Sequence, residues 1–377
     1  MKEYALIKNR HLLLPVIIFD RVGSFFSWVF TWGRRSSLPV KPSRILLVRL
    51  DHMGDVIMST VALRALKESF AGLKIDFVAA SWAMDVIRYN PCIENLITFD
   101  PSWFDRDRPR GFFHQLRDIL SLAIVIRRGH YDAVIDFKSD LRNIMAIFLS
   151  GVACRIGYSG INGGDFLLSH KLAYRKGRHE TDYNLALLKI LRASPGKPTV
   201  DITLSQDSAF RAEEILKANN VPDRFAVIHA AAGSEEKNWE IKKFANLIDY
   251  LSEEKGLSAV IVGLGKDGDI VKDIISKARS EIFDLSGKTD FQSLSAIIKK
   301  AALFVGVDSG PAHIAASFDI PTLVLFSGVN FGCVNHPSQW APRGKNVAIV
   351  YPGEGKDLTA VFVKDVRRAT DDVLFRD

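Results

Sequence analysis

Short apolar segments alternate with amphipathic segments along most of the chain, and this alternation constrains the fold more than any other feature. In the first half it predicts strands at Ile45–Leu50, Ile75–Ala80, Leu96–Phe99 and Ala133–Phe137. Helical patterns lie between them, at about 56–69, 82–89 and 112–128. Nearly continuous apolar strands that alternate with helices are typical of a parallel sheet covered on both faces. The pattern becomes irregular over 151–180, where Gly, Arg and His are frequent.

A second series of the same kind follows the turn-rich segment RASPGKP at 192–198. It predicts strands at Phe225–His229, Ala259–Val262, Phe283–Leu285, Leu303–Val307 and Thr322–Phe326. It also predicts helices at 240–254, 268–279, 291–300, 311–318 and 359–375. We therefore expect an α/β protein with domains at 44–200 and 201–350, and a helix within 351–377 that packs across the domain junction. Because ligands of open parallel sheets bind beyond the carboxyl ends of the strands, a cleft between the two domains is expected.

The charge of the chain is concentrated at its N-terminus. The formal net charge is +7, and residues 1–44 contribute +6 of it, which leaves a nearly neutral body. Such a body does not have the broad basic surface of a nucleic-acid-binding protein. The three cysteines, Cys92, Cys154 and Cys333, are widely separated, which argues against a disulfide scaffold or a zinc cluster and fits a reducing cytoplasm.

Residues 1–43 predict an amphipathic segment. The apolar run in LLLPVIIFDRVGSFFSWVFTW, at 12–32, is interrupted by Asp20 and Arg21, and no A-x-A cleavage site follows it, so a spanning helix or a secretory signal is disfavoured. At helical spacing, one narrow polar stripe contains Asp20, Ser24, Ser27 and Thr31, and aromatic and aliphatic residues cover the remaining surface. An apolar face with basic flanks predicts a helix lying on an anionic membrane surface. The alternative is a helix packed on the protein's own surface.

The loop DHMGD at 51–55 follows the first predicted strand. Gly54 permits a tight turn between strand and helix. Asp55 either caps the free N–H groups of the helix or faces the cleft as a general base. Asp51 and His52 are the alternative acid–base candidates. No GxGxxG motif is present here, so the loop lacks the dinucleotide-binding fingerprint.

Two loops of the second domain have features of a nucleotide site. In AAAGSEEKNW, at 230–239, small residues that include Gly233 and Ser234 permit close approach of the backbone to a ligand. Lys237 is either a cation for a diphosphate or a solvated lysine beside two glutamates. In GLGKDGD, at 263–269, Asp267 and Asp269 either bind ribose hydroxyls or enrich a helix N-terminus in negative charge.

The most specific loop is VGVDSGPAH at 305–313, where an apolar strand ends in Asp308. Ser309 and Gly310 can offer N–H groups to a phosphate at the start of the next helix, and His313 lies one turn further along. Alternatively, Asp308 only caps that helix. The order of residues from Gly306 to Gly310 does not fit the GxSxG motif of a serine hydrolase.

Together these loops resemble glycosyltransferase family 9, the bacterial heptosyltransferases of lipopolysaccharide core synthesis. The resemblance extends from about Arg44 to Phe375, and its most specific segments are ILLVRLDHMGDVIMSTVALRALK at 45–67 and FVGVDSGPAHIAASFDIPTLVLF at 304–326. Further segments that resemble the family are YDAVIDFKSDLR at 131–142, RIGY at 155–158, HETDYNLALL at 179–188 and KNW at 237–239.

The resemblance implies a GT-B fold, in which two Rossmann-like domains face a cleft. It also implies an inverting, metal-independent transfer of heptose from ADP-heptose to a Kdo or heptose sugar, without a cofactor. The partners would be a nucleotide-sugar donor and a lipid-linked acceptor, at the cytoplasmic face of the inner membrane. The alternatives are a related transferase or epimerase that uses another nucleotide sugar, and a non-catalytic sugar-binding module of the same fold.

Individual residues match the family's motifs. Asp55 matches its catalytic base, and Lys237 matches a lysine that contacts the donor phosphates. The donor-binding turn is matched by Asp308, Ser309, Gly310 and His313. Asp267 or Asp269 matches an acidic position that is usually Glu. Residues 1–44 are additional to the usual core, and the loop at 230–239 lacks the family's common proline–glycine start.

Overall fold

A computed structural model describes residues 10–30, 37–104, 111–194, 196, 198–231, 237–329 and 336–375, with the side chains of 10–13, 26–30 and 266 excepted. The chain forms two compact units, Met1–Val200 and Asp201–Asp377.

The first unit contains a six-stranded parallel sheet. Its strands are β1 (Arg44–Arg49), β2 (Lys74–Ala79), β3 (Asn95–Thr98), β4 (Ala133–Asp136), β5 (Cys154–Ser159) and β6 (His170–Ala173). Their order is β3-β2-β1-β4-β5-β6. The side chains of Ile45, Leu46, Leu47 and Val48 in the central strand are fully buried, because helices cover both faces of the sheet.

The helices of the first unit connect these strands or precede them. They are α1 (Arg10–Phe30), α2 (Met53–Ser59), α3 (Val61–Ser69), α4 (Phe112–Arg128), α5 (Leu141–Leu149) and α6 (Glu180–Leu188). Short 3₁₀ helices lie at Ser81–Val86, Ser102–Phe104, Asp165–Leu167 and Lys189–Leu191. The single helix predicted at 56–69 is divided between α2 and α3, because the hydroxyls of Ser59 and Thr60 donate to the carbonyls of Val56 and Ile57.

The second unit repeats the architecture. Its strands are β7 (Phe225–His229), β8 (Ser258–Ile261), β9 (Ile282–Asp284), β10 (Leu303–Val307), β11 (Thr322–Leu325) and β12 (Val347–Val350). All pairs are parallel, in the order β12-β11-β10-β7-β8-β9. Its helices are α7 (Ser208–Ala218), α8 (Ile241–Lys255), α9 (Gly268–Lys277), α10 (Phe291–Lys300), α11 (Gly310–Ser317), α12 (Pro337–Trp340) and α13 (Val363–Leu374), with 3₁₀ helices at Gly265–Asp267 and Leu358–Ala360. Two parallel α/β sheets of this kind confirm the predicted fold class.

The region 151–180, which reads as irregular in the sequence, contains β5 and β6. Arg155 interrupts the apolar pattern of β5, but its guanidinium is buried and donates to the carbonyls of Val152, Ala153 and Leu167. In β6, half-buried and exposed residues alternate at the edge of the sheet, so no apolar run marks it. Tertiary partners, rather than local hydrophobicity, determine both strands.

Helix α1 packs on the first unit through its polar stripe. Asp20 is buried and accepts a hydrogen bond of 2.6 Å from the backbone N–H of Gly164. Gly23 lies against the ring of Phe166, so closely that a Cβ atom there would overlap the ring. Ser24 is partly buried, whereas the side chains of Ser27 and Thr31 lie outside the described residues. The stripe therefore faces the protein, at least at Asp20, and leaves apolar side chains outside.

Among the side chains that the structure describes in α1, several exposed ones are aliphatic or aromatic. Leu14, Ile18, Val22 and Phe25 are between 50% and 65% exposed. The aromatic residues further along the predicted face, Phe26, Trp28, Phe30 and Trp32, lie outside the described side chains. In the part of the chain that the structure describes, no helix combines the length and apolar character needed to cross a bilayer.

The predicted C-terminal helix corresponds to α13, which packs on α8, β11 and β12 of the second unit. Asp371 accepts a hydrogen bond of 2.6 Å from the Tyr250 hydroxyl, and Val361, just before the helix, accepts one from the Trp239 indole. That this helix also packs across the domain junction stays a prediction.

Candidate active site

The candidate base lies where β1 passes into α2. As the sequence predicts, the strand ends just before Leu50, and Asp55 occupies the first turn of the helix. Gly54 is the second residue of α2, inside the helix. Arg49, the last residue of β1, extends its guanidinium to Asp55, with 2.8 Å between Nη2 and Oδ1.

Five charged side chains form a cluster around this base: Arg49, Asp51, Asp55, Lys138 and Glu180. We call it the buried charge cluster because Arg49, Asp51 and Glu180 are buried, whereas the side chains of Asp55 and Lys138 are 14% and 24% exposed. Arg49 Nη1 donates to Glu180 Oε1 at 2.9 Å, and Arg49 Nη2 lies 3.5 Å from Asp51 Oδ2. Lys138 Nζ lies 2.8 Å from Asp51 Oδ1. Three carboxylates face two cations, so full ionisation leaves one negative charge in excess. The cluster therefore favours the retention of one proton.

The surroundings of Asp55 and Asp51 separate their pKa values. Burial raises the pKa of Asp55 to about 7, and the negative charges of Asp51 and Glu180 add to the effect against the opposing charge of Arg49. Burial acts in the same direction on Asp51, but Lys138 and Arg49 outweigh it and lower the pKa of that carboxyl. A base works best when its pKa is near the working pH. Asp55 thus has the properties of a general base, and Asp51 those of a fixed anion.

His52, the other alternative, is exposed at the N-cap position of α2. Its ring contacts that of Phe104 edge-on, with the centroids 5.0 Å apart. Its backbone N–H donates to Asp51 Oδ1. The partner that the structure describes for the Asp55 carboxylate is the Arg49 side chain, which favours a charged role for Asp55 over that of a simple helix cap.

In the second unit, the ends of β7 and β10 bring together a second set of predicted residues. Asp308 follows β10 directly, as predicted, and its Oδ2 lies 2.6 Å from Lys237 Nζ. Lys237 is therefore an ion-paired side chain with 24% exposure, not a fully solvated one. Burial raises the pKa of Asp308, and Lys237 opposes that shift. Ser309, not Asp308, occupies the N-cap of α11.

His229, the last residue of β7, fixes the turn at Ser309. The Ser309 hydroxyl donates to the carbonyl of Val307 at 3.0 Å and lies 3.1 Å from His229 Nδ1. Burial lowers the pKa of His229 to about 4, so the imidazole is neutral near pH 7. With the hydroxyl proton directed to Val307, the consistent assignment is that His229 Nδ1–H donates to Ser309.

Helix α11 starts at this turn. Gly310 is its first residue, Pro311 follows in the first turn, and the buried His313 lies one turn along. Proline suits this place because the first N–H groups of a helix lack intrahelical partners. The positive end of the helix dipole, beside Lys237, gives this edge of the sheet the character of an anion site.

The other residues predicted to bind the donor lie in different surroundings. Asp267 accepts a hydrogen bond of 2.8 Å from the N–H of Leu264, so it stabilises its own loop. The side chain of Asp269 is fully exposed, 3.8 Å from Lys272. Gly233 and Ser234 lie outside the described residues. Their contacts with a ribose or a phosphate stay predictions.

Among the residues that the structure describes, no group of three or more His, Cys, Asp or Glu side chains is arranged to hold a metal ion. The cations that the two sites do contain are the Arg49, Lys138 and Lys237 side chains.

The model of "Glycosyltransferase family 9 (heptosyltransferase)" matches residues 119–359, more than half of the chain. The chain belongs to glycosyltransferase family 9. It is therefore a glycosyltransferase, as predicted.

Relatives of this family 9 glycosyltransferase are similar to it in sequence or structure along most of their length. Lipopolysaccharide heptosyltransferase 3 of Escherichia coli K12 is 28% identical over 350 residues, which are 87% of this chain and 97% of the relative. The crystal structure of the family 9 glycosyltransferase from Veillonella parvula has a TM-score of 0.78 at 21% identity and covers 90% of this chain and 99% of its own. The structure of the E. coli heptosyltransferase WaaC with ADP has a TM-score of 0.68 at 20% identity, and the match covers 88% of this chain and 99% of WaaC. These structures confirm the GT-B fold.

Three residues of the buried charge cluster, and His229, were not singled out from the sequence of this family 9 glycosyltransferase. Arg49 is recognisable in the sequence as a candidate, because a charged residue inside an apolar strand needs a buried partner of opposite charge. Lys138 and Glu180 lie within the segments FKSD and HETD, more than 85 residues from Asp51. The pairing of β1 with β4 brings Lys138 to this site, and the packing of α6 on α2 brings Glu180.

Proposed function

We propose that this glycosyltransferase transfers a heptose from ADP-heptose to a Kdo or heptose sugar of a lipopolysaccharide core. The relative and the structural neighbours support this choice of donor and acceptor class. The single observation that carries the catalytic assignment is Asp55, a carboxylate with a pKa near 7 that Arg49 holds at the carboxyl end of β1. The first unit would bind the acceptor, and the second unit would bind the nucleotide sugar.

The reaction is a single displacement in this proposal. The acceptor hydroxyl attacks the anomeric carbon of the heptose while Asp55 accepts the hydroxyl proton, an effect worth about 10²–10⁴-fold in rate. The bond from that carbon to the diphosphate oxygen breaks, and ADP leaves with the bonding electrons. Attack from the side opposite to ADP inverts the anomeric configuration.

The leaving group accumulates negative charge as that bond breaks. Lys237 and the N-terminal N–H groups of α11 would stabilise the charge on the diphosphate. Ion pairing with Asp308 holds Lys237 at this edge of the sheet in the absence of donor. We infer that these groups supply the electrostatic stabilisation that a divalent metal provides in other transferases, so that the reaction is independent of metal and of any cofactor.

We further propose that the protein binds peripherally to the cytoplasmic face of the inner membrane. Helix α1 presents an apolar outer face among its described side chains, and Arg21 is exposed as well. Helix α4 has the same chemistry: its exposed side chains include Phe112, Phe113, Leu116, Leu120 and Ile124 beside Arg117, Arg127 and Arg128. The acid of that helix, Asp118, is buried. Apolar side chains with only basic charges suit an anionic lipid surface.

The assignment of the base is tested by Asp55→Asn in an assay of ADP release and glycosylated product. We expect a loss of about 10²-fold or more in kcat, with little change in ADP-heptose affinity, because the change removes the proton acceptor and preserves shape. Lys237→Ala, in contrast, should weaken both donor affinity and kcat. Asp85→Asn, at an exposed carboxylate that pairs with Arg88, is the matched control.

Near wild-type turnover of Asp55→Asn would show that the base is another group, and Asp51 and His52 would be tested next. Parallel binding measurements with ADP-, UDP- and GDP-sugars test the donor. Stronger binding of a UDP- or GDP-sugar than of ADP-heptose would contradict the proposed donor, and donor binding without any turnover would favour a non-catalytic module.

A further inference from the structure

Three aromatic side chains contact one another beside the candidate base. Trp82 and Phe104 stack with their ring centroids 5.3 Å apart and an angle of 23° between the planes. His52 contacts Phe104 edge-on at 5.0 Å. We call these three residues the aromatic shelf. Each follows the carboxyl end of a strand, and β1, β2 and β3 are neighbours in the sheet, which explains why they meet.

The aromatic shelf is held in place by polar contacts from beneath. The indole Nε1–H of Trp82 donates to the carbonyl of Asp51 at 3.1 Å. Lys138 Nζ lies 4.8 Å from the centroid of Phe104 while it also pairs with Asp51. Both contacts lead to Asp51 or its partner Lys138, so the aromatic shelf is linked directly to the buried charge cluster that contains the base.

The aromatic shelf is also open to solvent. Trp82 is 42% exposed, and His52 is exposed as well. His52 and Asp55 are the N-cap and third residues of α2, so they lie next to each other in its first turn. Packing of the core does not require a half-exposed indole at a strand end. A partly exposed indole beside a proton acceptor is instead suited to a ligand that has both an apolar face and a hydroxyl.

We propose that the aromatic shelf binds a pyranose ring of the acceptor, with the C–H face of the sugar on Trp82 and the reacting hydroxyl directed to Asp55. The electron-rich face of an indole attracts the weakly positive C–H groups of a sugar, and the ring buries apolar area at small cost in side-chain entropy. This inference rests on the proposed glycosyl transfer and adds the subsite that orients its acceptor. The shelf residues are positioning residues in this role, whereas Asp55 acts on the hydroxyl.

The test is steady-state kinetics of the full chain, with ADP-heptose and a detergent-solubilised lipid A that carries Kdo or Kdo and heptose. Trp82→Ala should raise KM for the acceptor about 5- to 10-fold and leave KM for ADP-heptose unchanged. Trp82→Phe, which keeps a ring but loses the bond to Asp51, should recover most of the acceptor affinity. Tyr89→Ala is the matched control, because Tyr89 is similarly exposed at 43% and is not part of the shelf.

The outcomes separate the inference from the proposed function. If wild type transfers heptose and Trp82→Ala behaves like Tyr89→Ala, the aromatic shelf is not an acceptor subsite, while the proposed function stands. Equal defects in Trp82→Ala and Trp82→Phe would assign the effect to the lost hydrogen bond with Asp51 and would overturn stacking. Thermal melting and ADP binding show that each variant is folded. A wild-type chain that turns over no ADP-heptose with either acceptor overturns the proposed function and the subsite together.

Discussion

At the scale of single residues, the distinctive property of this protein is the uneven ionisation of neighbouring carboxylates. Asp55 and Asp51 are four residues apart and both contact Arg49, yet the pKa of one is raised and that of the other is lowered. The difference comes from Lys138, which pairs with Asp51, and from burial, which acts on Asp55 without comparable compensation. Burial and neighbouring charges thus bring the pKa of an aspartate close to 7, where it can act as a base.

The rate should therefore depend on pH through Asp55. A base must be ionised, so kcat/KM should decrease as the pH falls below about 7. Glu180→Gln removes a negative charge that raises the pKa of Asp55, so the acid limb of the profile should move to lower pH. A shift of about half a pH unit would raise the ionised fraction at pH 6 about threefold. The measurement is kcat/KM from pH 5 to 9.

Lys138→Gln provides the opposite change at the same cluster. It removes a positive charge that favours ionised Asp55, so its acid limb should move to higher pH. Both substitutions remove a charged partner, and loss of structure alone would not move the two profiles in opposite directions. Profiles that coincide with that of the wild type would show that Asp55 does not control the acid limb.

At the scale of elements, α1 and α4 are connected through a series of packed elements in the first unit. Helix α1 packs on the 3₁₀ helix Asp165–Leu167, that element packs on α5, and α5 packs beside α4. Two segments separated by more than 80 residues thus present the same combination of apolar and basic side chains. A lipid surface could contact both.

The outward faces of these helices can be tested separately with anionic liposomes. We expect two double variants to reduce co-sedimentation several-fold, because each removes apolar area that enters the interface. The α1 variant combines Ile18→Asn with Val22→Asn, and the α4 variant combines Phe113→Asn with Leu120→Asn. Phe210→Asn, at a 63% exposed side chain of the second unit, is the control. Unchanged binding by the α4 pair would restrict the membrane contact to α1.

At the scale of the whole molecule, the concentrated positive charge and the proposed donor site belong to different units of the chain. Residues 1–44 carry a net charge of +6, whereas Lys237 and α11 belong to the second unit. Membrane binding and donor binding should therefore be separable. Loss of α1 would expose Phe166 and leave the N–H of Gly164 without Asp20, a cost of about 1–3 kcal/mol for the hydrogen bond.

A chain that begins at Lys41 should accordingly melt at a lower temperature but still bind ADP-heptose with wild-type affinity. It should lose most of its co-sedimentation with anionic liposomes. Salt should release the full-length chain only in part, because salt screens the basic contribution of about 1 kcal/mol per side chain near the surface and not the apolar one. Equal liposome binding by both chains would place the membrane contact in the body.

The sequence alone determined the two parallel sheets, because their central strands are continuous apolar runs that only a doubly covered sheet can bury. It also placed Asp55 shortly after β1 and Asp308 directly after β10, since the change from apolar run to polar loop is local. Tertiary structure alone decided which charges meet: Arg49, Lys138 and Glu180 are distant in the chain and converge only because β1 and β4 are neighbours and α6 packs on α2. The sequence likewise could not predict that Asp20 faces the protein, because a helical wheel shows which residues share a polar stripe but not which other part of the protein packs against that stripe.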